Sequence, residues 1–443
     1  MPGMRPTRTP YVGRRQRGVT TLIIVSVLFF ILALVAAYTN RNMIFEQRTA
    51  GNQFRSTLAF EAVEAGVEWT LSMLNNGRID DDCLSSDDAA QLSFRQRYLN
   101  MSADTGLVDP GPAFGADLGG TVWPSCVFNG ADWTCSCPVN GDPALVEPVG
   151  AGVFPAFRVR FVRHVPQRPG LVWLEVNGCT RLDDTCLDFP AAPVAGEGRM
   201  RARVLVALKS ALPAVPSAAI TVLGDVDVPG GGTTLWAING SAGSGGLAVM
   251  AGGSVDTDVS LGSSPGSPAD RARVVSEADP SLVAAVFPPD AADARNRMFS
   301  NVFATTFDLY RDQAATLVLD CDPCGAADVR EAAERHPGRI LWLAGDASLD
   351  SGGGIGSPAA PVMLVVNGAL ALDVPLHGVV YSRGESLALS GAGGSIQGAL
   401  IGEGDLDFES GSTLTVTHEA QTLNRLRWTH GTFVRVPGGW RDF

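Results

Sequence analysis

The stretch VTTLIIVSVLFFILALVAAYTN, residues 19–40, contains no charged side chain. At about 1.5 Å per residue, a helix of this length is long enough to cross a hydrocarbon core of about 30 Å. A secretory apolar region is shorter, about 7–15 residues, and no small-x-small cleavage site follows this one. Arg5, Arg8, Arg14, Arg15 and Arg17 precede it, with no acid among the first 18 residues. The amino end is therefore expected in the cytoplasm, and everything after Arg41 is expected to be exported.

Outward from this span the helical pattern continues. No proline occurs between Pro10 and Pro110. Phe60, Val63, Val67, Leu71 and Leu74 recur at spacings of three and four, and Glu61, Glu64 and Glu68 form a neighbouring acidic stripe. The spacing predicts an amphipathic helix continuing out of the membrane, so that residues 19–75 form one element. Asn76-Gly77 supplies its stop, and Gly51 and Asn52 are its weak points.

The whole chain has 443 residues, 45% of them hydrophobic and 18% charged, so it can bury a sizeable core and two or three domains are expected. Net charge is −13, and beyond Gly18 there are 28 basic against 46 acidic residues. That balance repels phosphate backbones and argues against nucleic acid as a partner. The membrane span argues against a soluble cytoplasmic enzyme.

Residues 80–150 read as loops. Three strands then follow. Phe157, Val159 and Phe161 alternate with Arg158 and Arg160. Val172, Leu174 and Val176 alternate with Trp173 and Glu175. Met200, Ala202, Val204 and Val206 alternate with Arg199, Arg201 and Arg203. Period two predicts an antiparallel sheet with one buried and one wet face, the buried face covered by the Phe60–Leu74 stripe. This makes residues 76–212 the globular sheet part of an α+β domain.

Ala211–Pro216 reads as a short linker. After residue 212, where 32 of the 51 glycines fall, short apolar runs are punctuated by glycine, as in VMLVVNGALALD at 362–373. Residues 213–443 are expected to form a glycine-rich all-β domain, a β-solenoid or a sandwich, with helices near Ala291–Tyr310 and Ala326–His336. No fixed period chooses between the two.

All eight cysteines lie in the exported part, an oxidising setting. Cys321-Asp-Pro-Cys324 has redox spacing, but no thioredoxin-like pattern surrounds it, so a structural disulfide is favoured. Cys179 and Cys186 are expected to staple a loop. Cys126, Cys135 and Cys137 leave one partner for Cys83, and a zinc site from these four lacks a nearby histidine. Asp80-Asp81-Asp82 and Asp405-x-Asp407-x-Glu409 could offer oxygens to calcium, although the second alternates with Leu406 and Phe408 as a strand does. No other cofactor is expected. The five histidines fit no metalloprotease motif, and no nucleophile elbow or phosphate loop occurs, so catalysis has no support. Trp236, Trp342, Trp428 and Trp440 are candidates for core packing first and surface contact second.

The segment from Arg14 to about residue 70 resembles the amino end of PilX-class minor type IV pilins. The features are a basic leader ending in Gly18, the apolar helix, and then Ala50-Gly51-Asn52, Arg55, Leu58-Ala59-Phe60 and Glu64-Ala65. The resemblance continues more loosely through 199–226 and the carboxy-terminal glycine-rich tracts, as in large PilX-type proteins with an added β-rich region. It implies cleavage after Gly18 by prepilin peptidase, N-methylation of Val19 and packing of the helix among pilin helices. Val19 departs from the more usual Phe or Met at that place.

The fifth mature position, Glu in most major pilins, is Ile23. A subunit lacking that carboxylate cannot neutralise a neighbour's terminal amine, which places it best at a filament's top. The implied partners are other minor and major pilins, prepilin peptidase, the inner-membrane assembly platform and a large tip adhesin. The implied location is a single inner-membrane span with a cytoplasmic amino terminus, then the pilus surface. Two other readings are an adhesin displayed at the tip and the tip pseudopilin of a type II secretion system.

Overall fold

The computed structural model describes residues 18–442 apart from 151, 195, 265, 266, 283–290, 385 and 392. The leader residues 1–17 and their five arginines lie outside the described residues. One α-helix runs Gly18–Leu74. It passes Gly51 and Asn52 without a break, because one glycine costs a helix only about 1 kcal/mol. Two compact units divide within this helix, Met1–Thr57 and Leu58–Phe443. In the first, residues 19–57 are exposed throughout.

The second unit contains an antiparallel sheet of six strands. Their order is Gly431–Asp442, Arg199–Ser210, Leu171–Cys179, Ala156–Arg163, Ser125–Phe128 and Trp133–Ser136. Helix residues 58–74 cover one face, where Val63, Val67 and Leu74 join Phe157, Val159, Phe161, Leu174 and Val176 in one core. The buried helix face is centred on small side chains: Ala59, Ala62, Gly66 and Thr70 are buried, whereas Phe60 and Leu71 are half-buried. These small residues let the helix lie close to the sheet. A Cβ at Gly178 would stand 2.5 Å from the Ala59 carbonyl oxygen and 2.7 Å from Val63 Cγ2. Gly178→Val is therefore expected to cost about 3 kcal/mol by overpacking, read as a lowered urea midpoint.

The opposite face departs from the expected wet one. Arg158, Arg160 and Glu175 are all buried. Segments before and between the strands carry acids over this face. Arg158 donates to Asp184 Oδ1 at 2.7 Å and also pairs with Asp188. Arg160 reaches Glu175 at 2.7 Å and Asp117 at 2.6 Å, and lies over the Phe189 ring. Alternation correctly separates the apolar residues from the charged ones, but local sequence does not reveal that loops cover the charged side.

The glycine-rich region is built from parallel ladders. Thr316–Leu319, Ile340–Leu343, Val362–Val366, Pro375–Ser382 and Gly394–Gly402 are successive parallel neighbours. A second sheet runs Cys324–Gly325, Ala347–Leu349, Leu370–Leu372, Ser386–Ser390, Asp405–Phe408, Val226–Asp227. Ile340 pairs with Met363, Met363 with Val379, and Val379 with Ala399, so the steps are 23, 16 and 20 residues. Loops of unequal length between equal strands hide the repeat from a search for a fixed period.

The chain enters this stack in its middle. Ile220–Val222 pairs with Leu400–Gly402 on one side and Val249–Ala251 on the other. Thr413–His418 likewise lies between Gly394–Gly398 and Thr234–Ile238. Entry and exit are adjacent, with His418 Nε2 2.8 Å from the Pro216 carbonyl oxygen.

Strand Gly431–Asp442 corrects the expected boundary at residue 213. It belongs to the first sheet, beside Arg199–Ser210, so the stack is an insertion between two neighbouring strands. Among the described residues, four helices of five or more residues accompany the stack where two were expected. The first expected helix is split into Ala291–Phe303 and Phe307–Arg311 around Ala304, whose φ is 53°. Ala326–Arg335 follows the expectation. Ala420–Thr429 was not anticipated, although Leu423 and Leu426 at helical spacing behind Glu419 are its signal.

Candidate functional site

The amino-terminal segment holds most of the candidate residues. Gly18 is helical, and Val19 and Ile23 stand 67% and 57% exposed. The first acid after Gly18 is Glu46, so no carboxylate replaces the one missing at position 23. Phe29, Phe30, Leu32, Tyr38 and Phe45 add further exposed apolar surface. By length and composition this is a helix able to cross a membrane. A bare apolar rod of this kind is stable only when lipid or other apolar helices cover it. Ala50, Gly51 and Asn52 are helical and exposed. Phe60 meets Trp440 edge-on at 6.5 Å, and Glu64 is exposed.

The cysteines form four disulfides: Cys83–Cys137, Cys126–Cys135, Cys179–Cys186 and Cys321–Cys324. Cys126 and Cys135 face each other across an antiparallel pair. With Cys83, Cys126, Cys135 and Cys137 all paired, no thiolates remain there for the zinc alternative.

Among the described residues no group of three or more His, Cys, Asp or Glu is placed to hold a metal. Asp405 and Asp407 are on a strand, with Glu409 just after it. Asp405 Oδ1 accepts from the Asp225 N–H at 2.9 Å, and Asp407 pairs with the Ser386 hydroxyl. Asp80 Oδ1 accepts the N–H groups of Asp82 and Leu84, while Asp81 pairs with Arg97 at 2.8 Å.

A structural signal was missed here. Gly-Asp recurs at 224–225, 345–346 and 404–405. At each, the aspartate accepts a backbone N–H from the next turn of the stack: Ser254 at 2.6 Å, Ala369 at 2.8 Å and Asp225 at 2.9 Å. The acids are thus used to hold one corner of the stack.

Two buried polar centres also escaped the sequence reading. Arg95 is 2% exposed, and its Nε donates to the Leu74 carbonyl at the end of the long helix at 2.8 Å. Its Nη2 donates to the Gly431 carbonyl at 3.2 Å, where the returning strand begins. Burial lowers the Arg95 pKa to about 10, and burial together with Arg95 lowers that of His430 to about 3.

In the stack, the Tyr381 hydroxyl donates to Glu403 Oε1 at 2.8 Å, and Arg383 Nη2 stands 3.5 Å from Oε2. Burial raises the Glu403 carboxyl from 4.5 to about 7, against the opposing pull of Arg383 and Tyr381. The folded chain therefore keeps a proton that the unfolded chain releases. The stability contributed by Glu403 is full below pH 4.5, falls as pH rises towards about 7, and is flat above it. Glu403→Gln should remove this slope, worth at most about 3 kcal/mol, in urea midpoints measured across that window.

Trp342 is buried against Phe307. Trp236, Trp428 and Trp440 are half-buried, with Arg427 stacked on Trp428 at 4.4 Å.

Comparison with protein families matches the PilX N-terminal model to residues 17–68, the stretch that contains Gly18, Ile23, Gly51, Phe60 and Glu64. Over these residues the chain is similar to the PilX N-terminal family. The PilX segment ends on the helix residues that cover the antiparallel sheet. Comparison with curated proteins returns no match. Among solved structures, the crystal structure of competence-associated pilin ComZ from Thermus thermophilus is similar at 12% identity. That match covers 88% of this chain and 97% of that one, with a TM-score of 0.22, too loose a superposition to decide fold or function.

Proposed function

We propose that the chain is a minor pilin that takes part in type IV pilus assembly, in the priming or tip complex. The observation that carries this reading is the PilX match over 17–68, which opens at the junction between the basic leader and an uninterrupted helix. Prepilin peptidase cuts after Gly18, Val19 is methylated, and the exposed apolar helix passes from the inner membrane into a bundle of pilin helices. Its partners are other pilins and the assembly platform.

Ile23 favours the top of the filament. An amine in an apolar bundle needs a carboxylate partner, and this subunit brings none for the subunit above it. The parallel, sequential ladders after residue 212 favour a β-solenoid over a sandwich, whose neighbouring strands run mostly antiparallel.

The test is intact mass and amino-terminal sequencing from cells with and without prepilin peptidase. A mature chain starting at Val19 only when the peptidase is present is expected. An uncut start, or a cut beyond residue 39, overturns the pilin reading.

A further inference from the structure

The charged face of the antiparallel sheet opens into a groove of about 550 Å³. Arg163, Arg168, Arg203 and Arg441 line it around Trp173, in a chain that is strongly acidic elsewhere. The surrounding carboxylates are too few to balance them. Glu175 is shared by Arg160, Arg201 and Arg203, at 2.7, 2.9 and 3.4 Å. Asp117 pairs with Arg160, and Asp109 pairs with Arg163. Arg168 and Arg441 are exposed, and among the described residues neither has a carboxylate within ion-pair distance. Six guanidiniums thus face three carboxylates. Burial, with Arg201, Arg441 and Arg160 nearby, lowers the Arg203 pKa against the pull of Glu175.

The guanidiniums are also held in place. Arg203 and Arg441 lie over the Trp173 ring at 4.8 and 5.2 Å, and His164 stacks on it at 5.9 Å. Stacking fixes the planes of the forks and leaves their N–H edges for bidentate carboxylates. It also covers the tryptophan, so a sugar ring or nucleobase finds no bare aromatic face. Between the arginines the walls are apolar, formed by Leu118, Val162, Pro166 and Leu205 among others. An extended peptide that alternates acidic and apolar side chains matches such a lining, with the acids on guanidiniums and the apolar residues on the walls.

We infer that this groove is a docking site for an Asp/Glu-rich peptide segment of a partner protein, independent of the amino-terminal helix. The test uses the full-length protein in nonionic detergent, with labelled poly-L-glutamate as the probe and fluorescence anisotropy as the readout. Binding that weakens with salt is expected, together with a loss of about tenfold or more in R168E/R441E. The neutral pair R168Q/R441Q should lose less. Both pairs lie outside the Glu175 cluster, and unchanged thermal unfolding will show that they fold. Binding that is absent, or equal in both variants, overturns the proposal. Displacement of the probe by inorganic phosphate at equal ionic strength reveals a general anion site, and displacement by hyaluronate reveals a site for acidic sugars. Either result also overturns it.

Discussion

Glu175→Ala is expected to lower folding stability by about 3–5 kcal/mol, among the largest effects of any single substitution in the sheet. Glu175 is 3% exposed and is the common acceptor of Arg160, Arg201 and Arg203. Arg160 is itself buried, with Asp117 as its other acid. Removing the carboxylate leaves the buried Arg160 beside two half-buried guanidiniums, and their repulsion adds to the desolvation of Arg160. Glu175→Gln should cost less, because it keeps an oxygen acceptor and the shape. Adding Arg160→Met to Glu175→Ala should recover part of the loss, since the buried charge then goes too. Urea unfolding of the four proteins gives the comparison. A loss below about 1 kcal/mol for Glu175→Ala would mean that water reaches the cluster and screens it.

The second large effect is expected from Cys83→Ser with Cys137→Ser. This bridge joins residues 54 apart, whereas Cys126–Cys135 and Cys179–Cys186 join residues 9 and 7 apart. By chain entropy the long loop contributes about 4 kcal/mol and each short one about 2.5 kcal/mol. The long bridge also fixes a buried polar hub. Arg97 donates to the Cys137 carbonyl at 2.6 Å and the Ile79 carbonyl at 2.5 Å, and also to Asp81 and Gln91. Opening the bridge frees both sides of that hub. The double substitution should lower the urea midpoint more than Cys126→Ser with Cys135→Ser does. The reverse order would show that residues 83–137 keep their contacts when unfolded.

Much of the sheet was legible because its information is local. Alternation at 157–161 and 172–176 identifies strands whose apolar residues are all buried, and spacing at Val63, Val67 and Leu74 identifies the helix face that meets them. The burial of Arg158, Arg160 and Glu175 was not legible, since it depends on Asp117 from one loop and on Asp184 and Asp188 from a short helical turn after strand Leu171–Cys179. The returning strand was hidden for a related reason. Its partner is more than 200 residues away, and Val436–Gly439 interrupts the register with a bulge that blurs the alternation. The amino-terminal family likeness was legible as a motif, because its signal lies in the order of residues along 17–68. The arginine groove was illegible, since Arg168, Arg203 and Arg441 are gathered by the fold from three strands or loops.

Entry into the middle of the stack makes folding depend on the order in which residues emerge. A chain crossing a membrane amino end first delivers residues 220–276 well before residues 394–418. Yet Ile220–Val222 needs Leu400–Gly402 as its neighbour on one side, and Thr234–Ile238 needs Thr413–His418. The early segment must therefore wait with an unpaired strand edge until nearly the whole chain has followed. The outermost strand of the antiparallel sheet, Gly431–Asp442, arrives later still. A stall anywhere before residue 394 leaves both the stack and the antiparallel sheet open at once, so completion of the fold rests on the late strands.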